Sequence, residues 1–192
     1  MDSRKRLVES GKELFSQFGY EGTSTAAIAR QAKSAESQIT RHFGNKMGLL
    51  DAVFEESWEP LLEAAKKGAS TASTGREAVL AALVELMTKL STESNIATIL
   101  FLEDRRFSEG GGRIKTSRGM VELTRLIRSL ILQGQRDHSL DLRVNDAALA
   151  AAILGSAEAI IRDRAIAARA GRSCEYSYGD ATSVFEFLLR VP

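Results

Sequence analysis

One cysteine, two prolines, one tryptophan and two histidines among 192 residues exclude several kinds of protein. With Cys174 alone no intramolecular disulfide can form, so a reducing compartment is expected. So few histidines and thiols leave no metal-ligand spacing such as His-Glu-x-x-His, and neither a metal nor a cofactor is expected. The longest apolar run, residues 147–155, falls well short of the ~20 residues a membrane span needs. Arg4, Lys5 and Arg6 lead into an amphipathic segment instead of the apolar stretch of a signal peptide, so a cytoplasmic location is expected. Little proline, few β-branched runs and long stretches of Ala, Leu, Glu, Lys and Arg predict an all-α chain without a sheet.

Catalytic constellations are missing too. Asp137, His138 and Ser139 are adjacent in sequence, which is not how a triad is assembled. The Gly110-Gly111-Gly112 run has no strand before it and no Gly-Lys-Ser/Thr after it, so it reads as a linker and not as a phosphate cradle. An enzyme is not expected.

What is present is ordinary globular composition, 44% apolar and 27% charged, with the charge unevenly placed. Residues 1–46 hold eight Lys/Arg against five acids, a net +3, and the remainder carries −2. A basic end on a nearly neutral body suits a small nucleic-acid-facing head. Leu7, Gly11, Leu14, Phe15 and Phe18 recur at helical spacing and Gly19 supplies a stop, which predicts a first helix over residues 3–18. Thr23 is placed to cap a second helix containing Ile28, Ala29 and Ala32. After a few small or polar residues a third helix, with Ile39 and Phe43, ends in a basic, aromatic turn. Two short helices joined this way make a helix-turn-helix candidate over residues 23–46, its second helix suited to the DNA major groove.

Phe15, Gly19-Tyr20, Thr23-Ser24, Ile28-Ala29, Ala32, Ile39, His42-Phe43 and Asn45-Lys46 fall in an order and spacing that resembles the N-terminal domain of the TetR family of transcriptional regulators. The resemblance implies about nine helices, with a DNA-binding domain over 1–46 and an effector-binding and dimerisation domain over 47–192. It places Thr23, Ser24, Thr40, His42 and Lys46 near DNA phosphates, with Arg41 among the DNA-binding residues, and turns Glu36, Ser37 and Gln38 toward base edges. Ile39 and Phe43 become core.

Three positions depart from the family pattern: Lys33 stands where glycine is usual, Ala35 where a Ser or Thr often caps, and Thr40 where a tyrosine is common. If the turn keeps a left-handed residue, Lys33 costs roughly 1 kcal/mol relative to glycine. Ser34 can cap one residue earlier, which puts Glu36 in the first turn of the third helix. Glu36 is then either a reader of cytosine N4 or a dipole partner pointing aside.

A long helix begins after Asn45 and reaches Pro60, which either bends it or opens a new helix. Residues 68–75 read as the first real loop, and Thr74 with Glu77 forms a capping box for the next helix. Helices over about 94–107 and 113–135 follow, then one capped by Asn145, and a last one over about 180–190. By the resemblance, the last two form the bundle of a homodimer, with Ala151, Gly155, Ala159, Val184, Phe185 and Leu188 at its interface. Phe54, Trp58, Phe101 and Met120 are candidates to line an apolar effector cavity. The function expected is a ligand-responsive repressor, released from a palindromic double-stranded operator by a small apolar effector. The alternative is an adaptor that keeps the fold without specific DNA binding.

Overall fold

The structure, a computed structural model, describes residues 2–105, 117–141 and 143–190, leaving aside the side chains of 94 and 101–105. Among the described residues there are nine helices and no strand: α1 Ser3–Phe18, α2 Thr25–Gln31, α3 Ser37–Phe43, α4 Lys46–Ser70, α5 Gly75–Thr92, α6 Ser94–Arg105, α7 Arg118–Arg136, α8 Asp146–Arg169 and α9 Tyr178–Leu188. The all-α expectation holds. Of the described residues, those within Met1–Trp58 and Asn95–Ser117 form one compact unit, and those within Glu59–Ser94 and Arg118–Pro192 a second. These bounds lie elsewhere than the 46/47 division expected from the resemblance, because Leu49, Leu50, Val53 and Phe54 of α4 pack into the same core as α1.

In the first unit α1 packs on both α2 and α3. Asp2 caps α1 by accepting the Arg4 N–H, and Gly19 ends it with φ 74°. Leu7, Val8 and Phe15 are buried with Ile28, Ala29, Ala32, Ile39, Leu49, Leu50, Val53, Phe54 and Ile99. Gly11 faces α4, where an added Cβ would make ordinary contact with the side chains of Val53 and Leu49 at 3.4–3.5 Å. Phe18 does not join this core: it is 54% exposed.

Helix α4 is continuous through Pro60, which corrects the reading of that residue as the start of a new helix. Proline removes one N–H from the ladder, a local loss that packing on both sides offsets: Ser57, Leu61 and Leu62 are all buried. Asn45 caps the helix as expected, its Oδ1 accepting the Gly48 N–H at 2.9 Å.

In the second unit α5 packs on α7 and α9, α7 on α8, and α8 on α9. The Thr74–Glu77 capping box is present. The start of α5 is also clamped from outside, since Asp137 Oδ2 accepts the Gly75 N–H at 2.7 Å and Ser139 Oγ accepts the Arg76 N–H at 3.1 Å. Hydrogen bonds from Ser139 and then Gly75 hold the Asp137 carboxyl below its ordinary range. The Asp-His-Ser run is thus a helix clasp. Asn145 caps α8, whereas α9 starts at Tyr178, ahead of the expected 180, because Ser177 and Asp180 form a second capping box. The triglycine linker and the expected start of α7 at 113 lie outside the described residues.

Candidate nucleic-acid interface

The helix pair is held by its flanks. The cap of α2 is Ser24 and not Thr23: Ser24 Oγ accepts the Ala27 N–H at 3.1 Å, while Thr23 is buried and donates to the carbonyls of Leu14 and Gly19 at 3.1 and 2.7 Å. The Thr23 hydroxyl therefore ties the loop to α1 and is not turned to solvent. Ser24 is exposed and keeps its own O–H free to donate.

The turn after α2 closes in a Schellman arrangement. Lys33 N–H donates to Arg30 O at 3.1 Å and Ser34 N–H to Ala29 O at 2.9 Å, with Lys33 at φ 49°. The left-handed residue is therefore kept, by a side chain that bears its steric cost. Replacing Lys33 with glycine should stabilise the protein by about 0.5–1 kcal/mol, the left-handed penalty less the extra freedom glycine has when unfolded. Thermal melts of the two proteins check this, and an unchanged or lower midpoint would contradict it. Ser34 does not cap α3: its Oγ lies 3.1 Å from Ser3 Oγ. Glu36 occupies the cap position in helical conformation and makes no side-chain cap bond.

Helix α3 presents two faces. Ile39 is buried and Phe43 half-buried against the core, with the Arg4 guanidinium 5.5 Å from the Phe43 ring centre. Ser37, Thr40 and Arg41, at i, i+3 and i+4, are exposed on the opposite side. Gln38 is half-buried, and His42 is exposed with its ring 5.9 Å from that of Phe43. Lys46 is turned inward: its Nζ donates to the carbonyls of Tyr20 and Thr23 at 3.0 and 3.1 Å and sits 4.1 Å from the Tyr20 ring centre. The resemblance placed Lys46 near DNA phosphates and gave no sign of these two bonds, because the carbonyls lie more than 20 residues away.

The family model for bacterial regulatory proteins of the tetR family matches residues 7–53, the stretch that contains α1, α2, α3 and the start of α4. The chain is 27% identical over 106 residues to the probable HTH-type transcriptional regulator YttP of Bacillus subtilis, 54% of this chain and 51% of that one. Residues 7–53 therefore carry the N-terminal domain of the tetR family of bacterial regulatory proteins. It spans about half or less of the length of the curated relatives it matches. Its fold is shared nearly end to end with two solved FadR structures. One, from Bacillus subtilis in complex with stearoyl-CoA, has a TM-score of 0.81 at 17% identity, covering 96% of this chain and 97% of that one. The other, from Bacillus halodurans, has a TM-score of 0.85 at 17% identity, with 98% and 95% covered.

Beyond the matched stretch, the remaining candidate residues fall as follows. Phe54 and Trp58 are buried and Met120 is half-buried, while the Phe101 side chain lies outside the described residues. Ala151 and Gly155 are exposed on α8 and Ala159 is half-buried, and nothing lies within 4 Å of a Cβ built on Gly155. On α9 Val184 is exposed and Leu188 half-buried. Phe185 does not share that face: it is 0% exposed in the core of its own unit, and Phe187, two residues on, is 67% exposed in its place. Among the described residues no helix is long and apolar enough to cross a membrane.

Proposed function

We propose that the chain is a homodimeric, ligand-responsive transcriptional repressor that binds a palindromic operator and is released by a small apolar effector. The observation that carries this is the exposed Ser37, Thr40 and Arg41 stripe on a short helix whose opposite side is fixed in the core. A recognition helix needs such a split: one side rigid, the other free to meet base edges and phosphates. Ser24, Arg41 and His42 are assigned to phosphates, and Ser37 and Gln38 to base edges. Lys46 positions the loop ahead of α2 and keeps one N–H for phosphate, and Thr23 acts through its carbonyl and its hold on α1. Support for the dimer comes from the exposed small residues of α8 together with exposed Ile166, Val184 and Phe187. Two copies would set their recognition helices roughly 34–36 Å apart, one turn of DNA.

Release follows from linkage: an effector that binds better to a dimer with its heads wrongly spaced lowers operator affinity by the same factor. Since the FadR structure of Bacillus subtilis holds stearoyl-CoA, a long-chain acyl-CoA is the first effector to assay. Selection from random duplexes at two salt concentrations tests the DNA-binding reading. A palindromic sequence should emerge, and Arg41→Ala should weaken binding to all duplexes alike and lower the salt slope by about 0.9 per subunit. No selected sequence and no salt dependence would favour the adaptor instead. That alternative draws on two observations, the acid at the head of α3 and the inward turn of Lys46.

A further inference from the structure

We infer that the Thr25 hydroxyl, by bonding the Glu36 carboxylate across the two helix starts, orients Glu36 to read cytosine and makes Thr25 a specificity-determining positioning residue; this rests on the DNA-binding reading above. Thr25 is the first residue of α2 and Glu36 immediately precedes α3. Their side chains meet, with Thr25 Oγ1 donating to Glu36 Oε1. Glu36 makes no cap bond to its own helix, and no cation pairs with it among the described residues. A carboxylate that served only the dipole of α3 would fold back on the N–H groups of α3. This one reaches across to α2.

The bond limits what the carboxylate can do next. A free glutamate at the head of a helix samples many rotamers, and a mobile acid beside a polyanion is mainly a source of repulsion. Fixed through Oε1, it keeps Oε2 as an acceptor at the N-terminal end of the recognition helix, the end that meets base edges in a helix-turn-helix. Of the major-groove edges, that of cytosine offers an amino donor with no acceptor beside it, which makes it the natural partner of a carboxylate. Thr25 is half-buried, so its hydroxyl is itself held in place, and α2 thereby takes part in a choice made at the tip of α3.

The full-length protein should be compared with Thr25→Val, Thr25→Ser, Glu36→Gln and Glu36→Ala by selection from random duplexes, with circular dichroism confirming equal helix content. The wild type should select a cytosine at one position of each half-site. Thr25→Val, which keeps the shape and removes the donor, should lower the preference for cytosine there by roughly 3–10-fold and leave every other position unchanged. Thr25→Ser should restore it. Glu36→Ala should abolish it, and Glu36→Gln, whose amide can donate as well as accept, should move the preference to adenine. A Thr25→Val profile identical to wild type, or flattened equally at all positions, would overturn the inference. A wild type that selects no sequence would sink the DNA-binding reading and the inference together, whereas a selected operator indifferent to Thr25 sinks the inference alone.

Discussion

Gly75→Ala should cost at least about 3 kcal/mol, beyond the usual range for an added methyl group in a packed interior. The reason is backbone and not side chain: a Cβ on Gly75 would lie 2.0 Å from Gly134 N and 2.4 Å from Gly134 Cα. Two helices meet there glycine to glycine, and no rotamer can move aside. The same junction carries the Asp137 and Ser139 bonds to the start of α5, so displacing α7 also strips those N–H groups of their acceptors. Gly134→Ala should cost less than Gly75→Ala, because its Cβ would meet the Leu140 side chain at 2.7 Å, which can shift, and backbone only at 3.2 Å, at Arg76 N. Chemical denaturation with hydrogen exchange on α5 and α7 measures the loss. Gly75→Ala with a wild-type midpoint and intact protection would mean that the approach is not as close as described.

Phe15→Ala should cost about 3–5 kcal/mol and take operator binding with it. Phe15 is 0% exposed and lies 5.8 Å, centre to centre, from the Tyr20 ring, in the core that fixes α2 and α3. Phe18→Ala is the matched control and should fall within about 0.5 kcal/mol of wild type, since that ring already faces water. Amide exchange should show α2 and α3 losing protection in the first variant and keeping it in the second. Equal effects from the two substitutions would refute the burial that separates them.

The contrast between these two phenylalanines shows where sequence reasoning reaches its limit. Spacing placed both on one stripe and found the ends of α1, but spacing does not say which members of a stripe a partner covers. The cap of α2 was placed one residue early, on Thr23, for a similar reason: Thr23 and Ser24 are both competent, and the carbonyls of Leu14 and Gly19 decide which hydroxyl is drawn inward. Pro60 left two readings open, a bend within one helix or the start of a new one, and the local rule could not tell that a single helix, buried on either side, runs through it. For Lys33 the residues supplied only a condition, a left-handed residue if the turn keeps the form that usually takes glycine, and φ 49° meets it. At the other end of the chain, Phe185 and Phe187 share one helix and differ only in what lies opposite them, which no periodicity records. Thr25 left no signal, because its role depends on a carboxylate 11 residues away that only the folded turn brings near.

Lys46 gives the helix pair a mechanical input. It is the first residue of α4, yet its ammonium holds the two carbonyls that lead into α2. A twist of that opening turn is therefore a pull on the loop, carried by two hydrogen bonds and a ring contact over one side-chain length. The same opening stretch carries Leu49 and Leu50 into the core that holds Phe15 and Tyr20, so the direction of the exposed Ser24 hydroxyl and the packing behind it are set by one helix start.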